Sequence, residues 1–173
     1  EMLLDVDHSK ILLNAALETG LPVWVGLSCC DSKFDNSVIG RNFRAEKEKS
    51  LIYDENKYRD QPKYLPEDKI ILLEDIIKSL TSLGGDVYGI MHTWFQDSIG
   101  GLKILKNNWK GPIMFYPEIH KFDTNTHKAI ITMTEEEFSN SILELIDDQI
   151  QIVGGCCGVN DKHLKRLIQS ISE

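Results

Sequence analysis

Val153-Gly154-Gly155-Cys156-Cys157-Gly158 is the stretch of this sequence that decides the fold, because it joins an apolar, strand-like run to a helical pattern. Ile150 and Ile152 precede it at the alternating spacing of a strand. After it, apolar residues recur at helical spacing, at Leu164, Leu167, Ile168 and Ile171. Gly154 and Gly155 indicate backbone conformations that other residues cannot adopt. The pattern therefore predicts two adjacent thiols on a strand-to-helix turn.

The thiols of Cys156 and Cys157 have two interpretations on the sequence alone. Consecutive cysteines are poorly placed to bridge each other, because disulfide geometry needs Cα atoms farther apart than neighbouring residues allow. They are either ligands of a soft metal ion or a pair of small buried hydrophobic side chains. The surrounding glycines favour the metal.

The rest of the chain alternates between helical and strand-like patterns. Apolar runs typical of buried strands lie at 21–28, 87–91, 112–116 and 150–153, with helical spacing of apolar residues between them. Gly20 is expected to end the first helix. Capping boxes are predicted at Thr93-x-x-Gln96 and Thr134-x-x-Glu137. This alternation predicts parallel βαβ units.

Two α/β architectures fit this pattern, a doubly wound sheet and a (β/α)8 barrel. A barrel needs about 250 residues, so 173 residues with roughly four strands and five helices predict half a barrel or a small open sheet. Neither GxGxxG nor GxxxxGK[ST] marks a nucleotide-binding sheet.

Because the chain opens on Glu1 without an initiator Met, we expect part of a longer protein. The polar segment 31–66 is too long for an ordinary βα connection and is expected to be functional or mobile.

Composition limits the classes of function. With 42% hydrophobic residues the chain can form one core, so residues 1–173 are expected to be one domain. A net charge of −8, with no basic stripe, argues against a nucleic-acid partner and favours small molecules. No apolar stretch approaches the roughly 20 residues that span a bilayer, and the start is not basic. We expect a cytoplasmic protein whose four cysteines are reduced thiols or metal ligands; its oligomeric state stays open.

Three motifs together resemble the homocysteine S-methyltransferase family. They are Gly-Gly-Cys-Cys-Gly at 154–158, the strand Gly89-Ile90-Met91-His92, and the pair Tyr116-Pro117. The segment from Glu1 to Val25 also looks like this family's passage from strand four to strand five. The resemblance implies a (β/α)8 TIM-barrel fold, of which this chain covers approximately strands 5 to 8 and their helices.

The resemblance also implies a zinc site, because the family holds Zn²⁺ through one cysteine after strand six and a cysteine pair after strand eight. Homocysteine takes the open position. Carried over, the ligands here are Cys156, Cys157 and His92, with His92 standing where the family has cysteine. Histidine is a competent zinc ligand. The alternative is that His92 caps the next helix without binding metal.

Other positions carry weaker implications. Glu1 aligns with a family glutamate that binds the substrate's amino group. Family members usually continue Tyr-Pro with Asn and Gly, whereas Glu118, Ile119 and His120 follow here, so Glu118 and His120 either contact substrate or metal or are merely solvated. Cys29 and Cys30 are expected to be buried small residues rather than ligands.

The expected function is zinc-dependent transfer of a methyl group from a sulfur or nitrogen donor to a thiol such as homocysteine, a step of methionine biosynthesis. One alternative is a catalytically altered protein that binds a metal or a thiol amino acid. Another is an inactive fragment of a barrel. The methyl donor stays open, because betaine, S-methylmethionine and methylfolate enzymes share the GGCC site.

Overall fold

A four-stranded parallel sheet organises the computed structural model, which describes residues 6–31, 38–40, 71–123, 126 and 128–172. In chain order the elements are α1 (Val6–Leu17), β1 (Trp24–Leu27), β2 (Cys29–Asp31), β3 (Val38–Gly40), α2 (Leu73–Thr81), β4 (Val87–Trp94), α3 (Phe95–Asn108), β5 (Ile113–Glu118), β6 (His120–Asp123), β7 (Lys128–Ile131), α4 (Glu135–Leu143), β8 (Ile150–Val153) and α5 (Asp161–Ser172).

The strand order of the main sheet is β1-β4-β5-β8, and every neighbouring pair is parallel. The predicted alternation of helices and parallel strands is therefore confirmed. Two strands run farther than their apolar patterns indicated, with β4 continuing to Trp94 and β5 to Glu118. These extensions carry polar residues, which is why hydrophobicity alone did not predict them.

Two short antiparallel hairpins were not predicted. Strand β2 pairs with β3, and β6 pairs with β7 in the register His120 opposite Ile131. Each hairpin follows a strand of the main sheet at its carboxyl end. Residues 32–37 and 41–70, which make up most of the predicted 31–66 segment, lie outside the described residues.

The main core lies on one face of the sheet. Alternate strand residues on this face are buried: Val25, Leu27, Tyr88, Ile90, Ile113 and Phe115. They form one cluster with buried residues from all five described helices: Leu13, Ile77, Leu102, Phe138 and Leu167. The described helices therefore cover the same face.

The opposite face carries a smaller apolar cluster. It consists of buried Val87, Met91 and Met114, with half-buried Tyr116 and Ile152 beside them. None of the helices in the described ranges contributes to this cluster. A sheet with helices on one face and its own side chains on the other resembles one side of a barrel more than a doubly wound sheet, whose helices cover both faces.

The helix ends test three sequence predictions. The capping box at Thr134 and Glu137 is confirmed, with each side chain accepting a backbone N–H of the other residue. The predicted capping box at Thr93 is wrong, because Trp94 occupies the N-cap of α3 and Thr93 is buried in β4. Gly20 follows α1 with φ +70°, as expected for a helix end.

Within the described ranges, no helix has the length and apolar character that crossing a membrane requires.

Gly89 lies in β4 where the backbone of β5 approaches closely, and this gives a test of the packing. A Cβ at Gly89 would overlap both Cγ and the carbonyl group of Met114. We expect Gly89→Ala to lower the free energy of unfolding by about 2 kcal/mol, because the backbone of β5 cannot move aside. Urea denaturation with a constant m-value measures this.

Gly26 provides the matched control. A Cβ there would overlap only Met side chains, chiefly the flexible Met91. Gly26→Ala should therefore lower the free energy of unfolding by less than about 1 kcal/mol. Equal losses in the two variants would contradict the packing described here.

Candidate metal centre

Polar side chains collect at the carboxyl ends of three neighbouring strands. His92 lies near the end of β4, Glu118 ends β5, and Cys156 and Cys157 follow β8. The carboxyl ends of parallel strands lie at one edge of a sheet, which is where α/β proteins place their functional groups.

The backbone of β5 holds the turn that carries the two cysteines. Beyond β8, the N–H of Gly154 donates to the carbonyl of Phe115 at 3.1 Å. The N–H of Cys156 donates to the carbonyl of Pro117 at 3.0 Å. The N–H of Ile119 in turn donates to the carbonyl of Cys157 at 2.9 Å. The hydrogen-bonded ladder between β5 and β8 therefore continues through the cysteine pair and fixes its position.

The glycines of the motif act differently from the sequence expectation. Only Gly158 has a left-handed conformation, with φ +91°. Gly154 and Gly155 are needed for space instead, because a Cβ would overlap the ring of Tyr116 at the first and the side chain of Val159 at the second. The prediction of conformations closed to other residues is thus wrong for these two.

His92 has an unusual backbone conformation for a histidine, with φ +48°. The pairing of β4 with β5 is irregular between Met91 and Trp94, so this residue interrupts the regular strand. The buried hydroxyl of Thr93 supports the interruption by donating to the carbonyl of Met91 at 2.9 Å and accepting from the N–H of Cys29 at 3.0 Å. A strained residue held in this way is often found at a functional site.

The predicted ligand atoms do come together. Nδ1 of His92 lies 3.0 Å from Sγ of Cys156, and the two sulfurs of Cys156 and Cys157 lie 3.8 Å apart. One nitrogen and two sulfurs, all within 4.8 Å of one another, form a group that could hold a metal ion.

The spacing of this group fits zinc. Two sulfurs bound at about 2.3 Å in a tetrahedral arrangement are about 3.8 Å apart, which is the spacing of Cys156 and Cys157. The expected nitrogen-to-sulfur distance is about 3.6 Å, so His92 and Cys156 would have to separate slightly from their present 3.0 Å.

The environment of Cys156 disfavours a free thiolate. Burial raises the pKa of its thiol to about 11; the backbone N–H of Cys157 lowers it in part, while the neighbouring Cys157 thiol and Glu118 carboxylate raise it further. Each effect that raises the pKa reflects the cost of negative charge at this position. A bound cation would reverse that cost.

A second group of potential ligands adjoins the first. Glu118, His120 and Cys157 also place one ligand atom each within 4.8 Å of the other two. For Glu118 and His120, the sequence left two alternatives open: contact with substrate or metal, or exposure to solvent. The structure places both residues next to the cysteine pair.

The remaining predicted site residues lie elsewhere. Glu1 is outside the described residues, so its predicted contact with the substrate's amino group stays a prediction. Cys29 is buried, as expected, and Cys30 is half-buried; neither belongs to the two ligand groups found among the described residues. Thr93 supports the site through the hydrogen bonds given above, and the indole N–H of Trp94 donates to the carbonyl of His120. Nothing in the sequence pattern marked these roles.

Alkylation of the metal-free, reduced chain tests the environment of the cysteine pair. At about pH 8, iodoacetamide should modify Cys157 before Cys156, because Cys157 is exposed while burial keeps Cys156 protonated. The rate at Cys156 should rise as the pH approaches its raised pKa. Fragment-ion mass spectrometry locates each adduct, and faster modification of Cys156 at about pH 8 would contradict this assignment.

The comparison with known proteins agrees with the site. The sequence profile of the homocysteine S-methyltransferase family matches residues 72–171, which is more than half of the chain. This range contains His92, Glu118, His120 and both cysteines of the turn. A search of curated proteins gives no match. The chain therefore belongs to the homocysteine S-methyltransferase family.

Proposed function

We propose that this protein is a zinc-dependent methyltransferase that moves a methyl group from a sulfur or nitrogen methyl donor to a thiol such as homocysteine. Membership of the family supports methyl transfer to a thiol. The observation that carries the zinc dependence is the convergence of His92, Cys156 and Cys157, whose ligand atoms lie within 4.8 Å of one another.

The chain's own residues supply the arrangement that catalytic zinc requires. His92, Cys156 and Cys157 would hold the ion, and three protein ligands leave one position open. When bound, zinc would act as a Lewis acid and lower the pKa of an incoming thiol. Cys156 and Cys157 form no disulfide bond in the structure, which fits the reducing conditions of the cytoplasm.

The transfer is a single displacement. The sulfur of the acceptor forms a bond to the methyl carbon, and the bond from that carbon to the donor's sulfur or nitrogen breaks. The electron pair of the broken bond stays with the donor, and the acceptor's thiol proton goes to solvent. No separate general base is needed, because the acceptor reacts as a thiolate.

His92 changes the charge of the site relative to the family pattern. Three thiolates would give the zinc site a net charge of −1, whereas two thiolates and a neutral imidazole give 0. A more positive site favours binding of a thiolate but withdraws electron density from its sulfur. We therefore infer tighter binding of the acceptor and slower attack on the methyl group.

Metal analysis combined with a methyl-transfer assay tests the proposal. Wild-type protein should contain zinc, and His92→Ala and Cys156→Ser should lose it from this group. Methyl transfer should fall at least about a hundredfold in both, because removing a direct ligand costs more than the 10–100-fold typical of outer-shell changes. A chelator should have the same effect on the wild type.

Cys30→Ser is the matched control, because it removes a thiol that lies outside the ligand groups among the described residues. It should retain both zinc and activity. A folded, zinc-free wild type with full activity would disprove the proposal.

A second candidate is a protein that binds a metal or a thiol amino acid without transferring a methyl group. The imidazole of His92 in place of a thiolate favours it. Labelled sulfur and nitrogen methyl donors separate the two candidates. Acceptor binding without turnover in the wild type, together with turnover in His92→Cys, would establish the second candidate.

We also propose that the parallel sheet is one side of a (β/α)8 barrel, corresponding approximately to strands 5 to 8, with residues 1–173 as one portion of that domain. The support is that the described helices share one face of the sheet while Met91 and Met114 form a separate cluster on the other. The ligand groups at the carboxyl ends of the strands agree with barrel enzymes.

The barrel proposal predicts self-association of this chain when it is prepared alone. Among the described strands, β1 lies at one end of the sheet order, and its Trp24 is 52% exposed. An open edge with apolar surface favours pairing with another molecule. Sedimentation velocity should show association that increases with protein concentration. A cooperatively folded monomer at all concentrations would contradict the proposal.

A further inference from the structure

We infer that Glu118, His120 and Cys157 bind a second divalent metal ion, so that the Cys157 thiolate bridges two ions. The first ion is the one proposed above for His92, Cys156 and Cys157, and the inference rests on that site. It goes beyond that site by assigning a role to Glu118 and His120, which form a second ligand group with Cys157.

The geometry supports two ions rather than one ion with five ligands. The two groups of ligand atoms each lie within 4.8 Å, and they share only the sulfur of Cys157. Each ion would receive three protein ligands and keep one open position, as zinc does in catalytic sites. Ions that share a ligand in two-metal sites lie about 3.5–4 Å apart, and a bridging thiolate can span this distance.

The segment that carries Glu118 and His120 is fixed from several directions. The indole N–H of Trp94 donates to the carbonyl of His120 at 2.8 Å. The backbone N–H and the hydroxyl of Thr132 both donate to the carbonyl of Ile119, each at 2.8 Å. These contacts hold the backbone of this segment in a constant position relative to the end of β4 and the residue that follows β7.

The cysteine turn packs directly against the same segment. Gly158 has no room for a side chain, because a Cβ would come within 2.9 Å of the backbone nitrogen of His120. Together with the hydrogen bond from Ile119 to Cys157, this packing fixes the backbone of Cys157 relative to both groups. The two groups therefore form one preorganised cluster, which is what a binuclear site requires.

Two polar side chains of the second group, those of His120 and Glu118, have unmet hydrogen-bonding or charge requirements among the described residues. Nδ1 of His120 is buried and has no hydrogen-bond partner among the described residues. No described Lys or Arg forms an ion pair with Glu118, although its carboxylate adjoins the two cysteines. A carboxylate, an imidazole and a thiol that converge without a described Lys or Arg are ligand types that zinc binds.

Cobalt(II) titration of the reduced, metal-free chain tests this inference, because cobalt replaces zinc and is visible by absorption and electron paramagnetic resonance. Wild type should bind two Co²⁺ per chain, and thiolate-to-metal charge-transfer absorption should grow with both equivalents. The resonance signal should be weaker than that of two independent ions, because the shared sulfur couples their spins.

The variants identify each group. Glu118→Gln and His120→Gln should bind one Co²⁺ and lose the spin coupling, whereas His92→Ala should keep one ion in the second group. Glu144→Gln, which alters an exposed carboxylate at the end of α4, should still bind two ions. Circular dichroism confirms that each variant is folded.

The outcomes separate this inference from the proposed function. One Co²⁺ in wild type that is lost in Cys156→Ser but retained in Glu118→Gln would overturn the second site and leave the first intact. Two ions that persist in both Glu118→Gln and His120→Gln would also overturn it. A folded chain that binds no Co²⁺ would overturn both proposals.

Discussion

The continuation of the β5–β8 ladder through the cysteine turn is the constraint on which the site depends. Ordinarily a strand-to-helix turn leaves the pairing of its sheet, and its side chains are then positioned only by the loop. Here the backbone of Cys156 donates to Pro117 and that of Cys157 accepts from Ile119, so the backbone of both cysteines is fixed to the neighbouring strand. Because Glu118 lies between these two contacts, the same hydrogen bonds bring its carboxylate beside the sulfurs.

Close packing makes this ladder possible. Gly154 lets the turn pass against the ring of Tyr116, and Gly158 lets it pass against the backbone of His120. A larger residue at either position would push the turn away from β5 and break the hydrogen bonds that hold the cysteines. Gly154 and Gly158 thus affect the site because they let the turn lie close to β5 and to His120. Only Gly158 also contributes a left-handed backbone conformation.

The sequence predicted the parallel strands and the cysteine turn because both depend on local patterns. Apolar runs near 87–91 and 112–116 are buried in the sheet, and the capping box at Thr134 formed as its spacing indicated. The hairpins were missed because their strands are short and β7 is exposed along its length. The conformation of His92 was missed because positive φ in a histidine is set by tertiary contacts, such as the two hydrogen bonds of Thr93, which no local pattern records.

The strain at His92 argues that its position serves binding rather than folding. A non-glycine residue with positive φ costs on the order of 1 kcal/mol, and a regular strand would avoid that cost. What the conformation does achieve is to place Nδ1 at 3.0 Å from the sulfur of Cys156, on a backbone that Thr93 holds in place. A strained residue whose ring nitrogen is aimed at a half-buried thiol is explained by a ligand that binds both groups and offsets the strain.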